Sequence, residues 1–352
     1  MSDKIQKNLN QGLISQMSNL MDDGFLVLDH DGIITNANDM AVRLFGENLV
    51  GSHATQLFDP KIFEDAFIEI SASKTPVEFV AAIKANPMHQ YRIRMRHLDH
   101  GMIGLLMMDM TVQHNLEKVR RDFVANVSHE LRSPLTSLIG FIETMETAEN
   151  LDDNVRAKFL GIMNEEASRM SRLVDDLLSL SRVEVEEHVA PTEVLFIDQV
   201  VKSVIASFQS RATKKEMSVV FNNATDGQDE GITIMGETDE IMEVFHNLID
   251  NALKYGHPKS EVKITMKYPD TAHVAFDVIN QGDGIEDIHL SRLTERFYRV
   301  DKSRSRKIGG TGLGLAIVKH IIVRHRGVID IKSEMGGATT FRVILPRHHL
   351  TS

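Results

Sequence analysis

The chain has 352 residues, 42% of them hydrophobic, and its 39 basic and 50 acidic side chains leave a formal net charge of −11. That length predicts two or three domains with ordinary cores, and the acidic balance argues against a nucleic-acid partner. The absence of cysteine excludes disulfides, thiolate metal sites and cysteine nucleophiles. No apolar run approaches roughly 18 residues, so we expect no membrane span in this chain and a cytoplasmic location.

Residues 12–111 are predicted to form a mixed α/β domain. A short strand at 25–29 and a turn at Asp31-Gly32 lead into a second strand. A helical pattern over 60–72 precedes three strand-like runs, in one of which apolar residues alternate with arginines. That alternation is typical of a sheet with one solvated face. The three runs are 77–84, 90–98 and 102–110.

Residues 112–183 are predicted to form two long helices joined by a short turn. Apolar side chains recur every three or four positions up to Met145 and again from Val155 to Leu180. A lone hairpin leaves apolar stripes exposed, so we expect a second copy to complete a four-helix bundle in a homodimer. The alternative, a plain coiled-coil spacer, does not require Pro134 in the middle of a helix.

Residues 190–347 return to an α/β texture. Helices are predicted at 197–214, 238–255 and 313–325, and a long stretch rich in glycine and arginine, 281–314, is predicted to lack regular structure. Such long loops in compact domains are usually functional lids or disordered segments. Strands are predicted at 218–222, 232–235, 262–268, 273–280, 328–332 and 339–345.

His129 is the first candidate for chemistry. It is followed directly by Glu130, and Ser133 lies one helical turn later on the same face. Pro134 removes a backbone donor and weakens the helix beside the histidine. Neutral imidazole is a nucleophile, and an adjacent carboxylate can take or orient its ring proton. The alternative is an ordinary solvated surface histidine.

Asn247, Asn251 and Lys254 form a second constellation, at i, i+4 and i+7 of a predicted helix. This spacing puts them on one face, where amide oxygens suit Mg²⁺ and a lysine suits phosphate. The alternative is an ordinary polar helical face.

The third constellation is the run Gly309-Gly310-Thr311-Gly312-Leu313-Gly314, which leads directly into a helix. Glycines allow the backbone to approach a triphosphate, and the N–H groups at a helix start favour anions. The run lacks the Gly-Lys-Ser/Thr ending of a P-loop, and the alternatives are a mere turn and a solvated charge run. The cations that precede it are Arg292, Arg296, Arg299, Lys302, Arg304, Arg306 and Lys307.

Together these strings resemble the sensor histidine kinases of two-component signalling. The resemblance implies that His129 accepts the γ-phosphoryl group of ATP and that Glu130 is the acid/base. The family usually has threonine or asparagine four residues after the histidine, to position water for phosphatase activity on the regulator. Ser133 stands there in this chain, so a hydroxyl is retained.

The same resemblance implies the nucleotide site. Asn251 matches the family's Mg²⁺ ligand, Asn247 supports the phosphate end, and Lys254 and Tyr255 contact the nucleotide. Arg299 belongs to the predicted lid over ATP. The matching glycine-box residues are Gly282, Gly284, Gly310, Thr311, Gly312, Leu313 and Gly314.

Asn280 departs from the family pattern. The family has aspartate at this position, where the carboxylate accepts the adenine amino proton, and this chain has Asn280-Gln281-Gly282-Asp283-Gly284. A hydrogen bond to a neutral acceptor is weaker by about 1–2 kcal/mol than one to a charged acceptor. We therefore expect ATP affinity to be lower by about tenfold.

Residues 12–111 resemble a PAS sensor domain, and Asp109-Met110-Thr111 matches its exit signal. The predicted fold is thus multidomain: an α+β PAS domain, an antiparallel helical hairpin forming a four-helix bundle in a dimer, and an α/β sandwich ATP-binding domain. Within the family, residues 293–301 and 309–320 are most similar to phosphate-regulon sensor kinases. These are normally anchored in the inner membrane, so the chain is a soluble relative or the cytoplasmic part of a longer sensor.

The implied function is autophosphorylation of His129 from ATP and transfer to an aspartate of a response regulator, with phosphatase activity as the second implied activity. Two alternatives remain. One is an ATPase of the same fold, as in chaperones and topoisomerases, which forms no phosphohistidine; the His129 motif argues against it. The other is a kinase-impaired scaffold or phosphatase-biased sensor, which Asn280 favours.

Overall fold

A computed structural model of the chain describes residues 17–73, 75–148, 152–224, 231–301 and 310–348. These belong to two compact units, Met1–Val124 and Ala125–Ser352, so the predicted hairpin and ATP-binding segments lie mostly in one unit. Within the described part, no helix is long and apolar enough to cross a membrane. Predicted positions outside the described residues are 12–16, Lys302, Arg304, Arg306, Lys307 and Gly309.

The first unit is built on a five-stranded antiparallel sheet with the strand order β2-β1-β5-β4-β3. In β4, Tyr91, Ile93 and Met95 are buried while Arg94 and Arg96 are exposed, as the alternation predicts. The strands are β1 Gly24–Leu28, β2 Ile34–Ala37, β3 Val77–Ile83, β4 Asn86–His97 and β5 Ile103–Asp109.

Two helices lie in the connection between β2 and β3. They are α1, Asp39–Phe45, and α2, Pro60–Ser73. The sequence analysis missed α1, because seven residues are too few to show a helical period. Buried Asn38 fixes its start, since its side-chain oxygen accepts from the Ala41 N–H at 2.9 Å and from the Phe25 N–H at 2.8 Å.

The helical hairpin consists of α3, Thr111–Thr147, and α4, Asp153–Glu186. Helix α3 runs continuously through the buried Pro134. Asp152 caps α4 by accepting from the Asn154 N–H at 2.8 Å. Phe141 and Phe159 hold the two helices together, with ring centroids 5.1 Å apart.

The rest of the second unit is a two-layer α/β fold. Its five-stranded sheet has the order β11-β12-β10-β9-β7, with β7 and β9 parallel and the other pairs antiparallel, and β6 pairs with β8 separately. The strands are β6 Val194–Phe196, β7 Ser218–Asn223, β8 Thr233–Met235, β9 Glu261–Lys267, β10 His273–Gln281, β11 Val328–Ser333 and β12 Ala338–Pro346. The helices are α5 Ile197–Lys214, α6 Thr238–Tyr255, α7 Asp287–Leu290 and α8 Gly314–Arg324.

Helix α6 covers the middle of the sheet. Phe245 and Phe276 meet edge to face across that layer boundary, 5.1 Å between centroids, and both are fully buried. The predicted helices and strands of this region match the structure to within two residues. Two short elements were missed, β6 and α7, and α7 lies inside the stretch predicted to lack regular structure.

An apolar stripe on α3 is exposed in the single chain. Leu135, Ile139 and Ile142, at i, i+4 and i+7, retain 48%, 48% and 41% of their exposure. A stripe at this spacing is what a second hairpin covers in a four-helix bundle.

We therefore expect a dimeric mass in light scattering at micromolar concentration, and Ile139→Glu should convert the dimer to a monomer because it places a charge in the stripe. Met335→Glu, at an exposed apolar residue in the turn between β11 and β12, is the matched control and should remain dimeric. A monomeric parent protein with intact helicity would contradict the bundle.

Candidate functional site

A cavity of about 880 Å³ lies in the second unit, bordered by α4, α5, α6 and the sheet. This volume lies within the range of small-molecule sites. Most of the residues predicted to bind nucleotide contribute to its wall. They are Asn247, Asn251, Lys254, Tyr255, Asn280, Gly282, Gly284, Arg299, Gly310, Thr311, Gly312 and Gly314.

Helix α6 presents its polar side to the cavity. Val244 and Leu248 are fully buried on its other side, whereas Asn247 and Asn251 are half-buried. The Asn247 amide donates to the Glu243 carbonyl at 3.1 Å. The Asn251 side chain has no hydrogen bond to any described residue and lines the cavity.

Lys254 is already paired. Its Nζ lies 2.6 Å from an oxygen of Asp250, whose other oxygen lies 2.5 Å from Arg211. Burial by itself would raise the pKa of Asp250, but the two cations outweigh it and hold that pKa below its usual value. A phosphate that binds Lys254 must therefore compete with this carboxylate.

Two glycines are required by the packing of the loops. Gly284 has φ +78°, and a Cβ there would lie 2.2 Å from the Glu334 carbonyl oxygen. A Cβ on Gly314 would lie 2.6 Å from Asn247 Oδ1, so the glycine brings the start of α8 against α6. Leu313 does not line the cavity: it is fully buried, and α8 begins one residue later than predicted, at Gly314.

Arg299 connects the glycine-rich loop to the hairpin. Its guanidinium donates to the Gly310 carbonyl and to Glu130 at 3.4 Å, and only 7% of the side chain is exposed. Glu130 also accepts from Arg169 at 2.9 Å. The carboxylate next to His129 is therefore bound to two arginines, and it makes no hydrogen bond to the histidine.

His129 and Ser133 lie on the exposed surface of α3. They line a shallow depression together with Arg132, Thr136 and Ser137. No hydrogen bond from a described residue engages the His129 imidazole, so the ring is available to a reagent or partner from solvent. The depression around His129 and the cavity have no lining residue in common.

The sequence analysis missed the part of the site supplied by α4. Thr311 donates its hydroxyl proton to Asp176 at 2.6 Å, and Ser179 donates to Glu243 at 2.7 Å. Burial raises the pKa of Asp176 and of Glu243. In the sequence these α4 residues have the spacing of an ordinary polar helical face, so no local signal marks them.

Arg324 forms ion pairs that connect the end of α4 to the start of α6. Its guanidinium is almost buried and pairs with Glu186 at 3.2 Å, with Glu237 at 2.6 Å and with Glu240. Burial raises the pKa of Glu240. The three carboxylates are close enough to hold a metal ion, but the guanidinium already lies among them.

The comparisons with known proteins agree with this geometry. A family model described as "His Kinase A (phospho-acceptor) domain" matches residues 119–186. A second, described as "Histidine kinase-, DNA gyrase B-, and HSP90-like ATPase", matches residues 236–349. The first match contains His129 and the second contains the cavity's glycine-rich loops.

Among similar proteins, the phosphate regulon sensor protein PhoR of Pseudomonas aeruginosa strain PAO1 is 34% identical over 334 residues, covering 93% of this chain and 73% of that protein. Sensor protein kinase WalK of Staphylococcus aureus strain Newman is 33% identical over 336 residues. That match covers 93% of this chain, which spans about half (54%) of WalK.

The fold also resembles a solved structure, the histidine kinase ThkA in complex with the response regulator protein TrrA. The TM-score is 0.53 at 23% identity, over 95% of this chain and 98% of that one. At this identity the likeness shows the fold alone. The family models and the similarity to PhoR carry the assignment: this chain belongs to the sensor histidine kinases of two-component signalling, protein-histidine kinases that bind ATP.

Proposed function

We propose that the chain transfers the γ-phosphoryl group of ATP to its own His129 and then to an aspartate of a response regulator. The observation that carries the proposal is the cavity, which brings three separate sequence motifs together around one space. The exposed, unengaged imidazole on α3 supplies a nucleophile in the same unit.

The cavity has an end suited to phosphates. The N–H groups at the start of α8, the Gly310–Gly314 run and the Arg299 guanidinium all favour an anion. ATP that binds there must compete with Glu130 for Arg299 and with Asp250 for Lys254. Binding of the triphosphate would therefore release the carboxylate next to His129 from one of its two arginines.

Asn251 fits the requirement for Mg²⁺. Its amide lines the cavity without a described hydrogen bond, whereas the nearby carboxylates of Asp250 and Glu243 are engaged by cations and by Ser179. Mg²⁺ commonly takes one or two protein oxygens and completes its shell with phosphates and water. When bound, the ion would neutralise charge on the phosphate chain.

In the transfer step, a nitrogen of the neutral His129 ring attacks the γ-phosphorus, ADP leaves with the electron pair of the broken P–O bond, and the ring gives up its N–H proton. Glu130 is the adjacent group that can take this proton once Arg299 has moved. The depression around His129 and the cavity have no lining residue in common, and we propose that the ATP-binding part moves relative to the hairpin to bring the γ-phosphate to His129.

We assign the response regulator to the exposed surface of α3 around His129. Ser133 lies on the same face one turn away, where its hydroxyl can orient water towards a phosphoaspartate on the docked partner.

The first unit, with its sheet order β2-β1-β5-β4-β3 and helices α1 and α2, supports a PAS-type sensor. We propose a cytoplasmic location for these parts and no nucleic-acid partner.

A second candidate function rests on Asn280. This residue lines the cavity where the family has aspartate, so a kinase-impaired sensor that acts mainly as a phosphatase or scaffold is the competing proposal. It differs from the first in predicting little or no labelling by ATP.

Substitution of His129 tests the phosphoacceptor. With labelled ATP and Mg²⁺ the protein should acquire a label that is lost in acid and stable in base, because protonation labilises the P–N bond. His129→Gln should abolish the label. His114→Gln, at an exposed histidine of the same helix, should retain it. An acid-stable label, or one that survives His129→Gln, would contradict the assignment.

Ser133→Ala should lower phosphatase activity towards the phosphorylated regulator and leave the labelling of His129 largely unchanged, because the hydroxyl is assigned to orient water. A loss of about 10-fold or more is expected for a group that positions the nucleophile. Ser137→Ala, in the same depression, is the control. Equal losses of labelling and phosphatase activity would instead indicate a structural role for Ser133.

Asn280→Asp should strengthen ATP binding by about tenfold, since a charged acceptor contributes about 1–2 kcal/mol more than a neutral one. Titration calorimetry at fixed Mg²⁺ measures the change. Asn222→Asp, an equal change of charge at an exposed position in β7, should have no effect. If only Asn280→Asp binds ATP, the chain is a disabled kinase and the competing proposal is correct.

A further inference from the structure

Asn280 is a buried polar side chain that has no hydrogen-bond partner among the described residues. It lies in the central strand β10, 3% exposed, and contributes to the cavity wall. Along β10 it shares a face with Phe276 and Val278, which are fully buried. Among the described residues, the side-chain atoms that are both sealed from solvent and unpaired belong to Glu166, Asp198 and Glu240, and not to Asn280. The Asn280 amide is therefore open to the cavity, where it can engage the edge of a ligand.

We propose that Asn280 relaxes the choice of base, so that the cavity accepts a 6-oxopurine triphosphate, GTP, as well as ATP. This inference rests on the proposed function, because it concerns the donor bound in that same site.

The hydrogen-bonding groups of the Asn280 amide support the acceptance of both bases. Asparagine offers one carbonyl acceptor and an NH₂ group with two donors. Adenine presents a 6-amino donor beside the ring N1 acceptor, and guanine presents a 6-oxo acceptor beside an N1–H donor. Rotation of the amide by about 180° about its terminal torsion, which is broad and two-fold, exchanges oxygen and nitrogen and so matches either edge.

A carboxylate at this position lacks that freedom. It only accepts hydrogen bonds, so it pairs with the amino group of adenine but places its lone pairs against the 6-oxo group of guanine. In a desolvated site such a mismatch is costly, and sites that read a donor in this way discriminate strongly. Replacement of aspartate by asparagine therefore removes the repulsion that excludes guanine.

The neighbours of Asn280 do not restore a preference. Thr339 lies directly opposite on β12, and its hydroxyl shares a 2.7 Å hydrogen bond with Ser333 in which either oxygen can donate. A hydroxyl can donate or accept, so it does not fix the orientation of the amide. Gly282 lies beside the amide, and a Cβ there would lie 2.7 Å from the Tyr255 carbonyl oxygen and 3.3 Å from Asn280 Nδ2. A side chain at this position would crowd Asn280, so the glycine keeps the space beside the amide open.

Transfer from GTP would break and form the same kinds of bond as transfer from ATP. The bond between the γ-phosphorus and the bridging oxygen breaks, GDP leaves with its electron pair, a P–N bond forms at His129, and one proton is released from the ring. No further reactant is required.

The test compares the two nucleotides on the intact chain. Titration calorimetry with ATP and with GTP at fixed Mg²⁺ gives the ratio of affinities, and labelling with each γ-labelled nucleotide shows transfer to His129. We expect affinities within about tenfold of each other for the Asn280 protein. Asn280→Asp should raise the preference for ATP by about 100-fold or more, and the control Asn222→Asp should leave the ratio unchanged.

Two results would overturn the inference, and they are distinguishable. If ATP binds and labels His129 but is preferred over GTP by more than about 100-fold, or if Asn280→Asp leaves the ratio unchanged, the role of Asn280 in base choice is wrong and the kinase assignment stands. If neither nucleotide binds to the parent protein or to Asn280→Asp, the assignment of the cavity as a nucleotide site fails as well.

Discussion

The candidate site depends on the burial of one side of helix α6 against the central strand β10. Phe245 and Phe276 meet in that layer, and the apolar side of α6 is fully removed from solvent. Burial of the apolar side sets how the helix is rotated about its axis. Asn247 and Asn251 lie on the opposite side of the helix, so they have to face the cavity. The same strand carries Asn280 on its helix-covered face, so the metal-binding and base-reading candidates are positioned by one packed layer.

Two cations at the cavity wall are each paired with a carboxylate. Lys254 is held by Asp250, and Arg299 is held by Glu130. Each ion pair fixes the position of its cation at the cavity wall. A triphosphate brings more negative charge than either carboxylate, so its binding can take over these cations and release the acids.

Polar contacts connect the loops around the cavity to the hairpin. Arg299 and Thr311 belong to the loops around the cavity, yet their side-chain partners Glu130 and Asp176 lie on the hairpin helices. Arg324 fastens the far end of α4 to α6 through Glu186, Glu237 and Glu240. The contacts between the cavity loops and the hairpin therefore involve the same side chains that we propose to engage the nucleotide.

The sequence alone determined the helices of the hairpin, most of the strands and the cavity residues that belong to continuous motifs, because periodicity and short motifs are local signals. Only the tertiary structure revealed that Leu313 is buried, that Glu130 is bound to Arg169 and Arg299, and that Asp176 contacts Thr311. These contacts join residues 39 to 169 positions apart. No local pattern encodes such a pair, since each side chain meets its partner only after the helices and the sheet have packed.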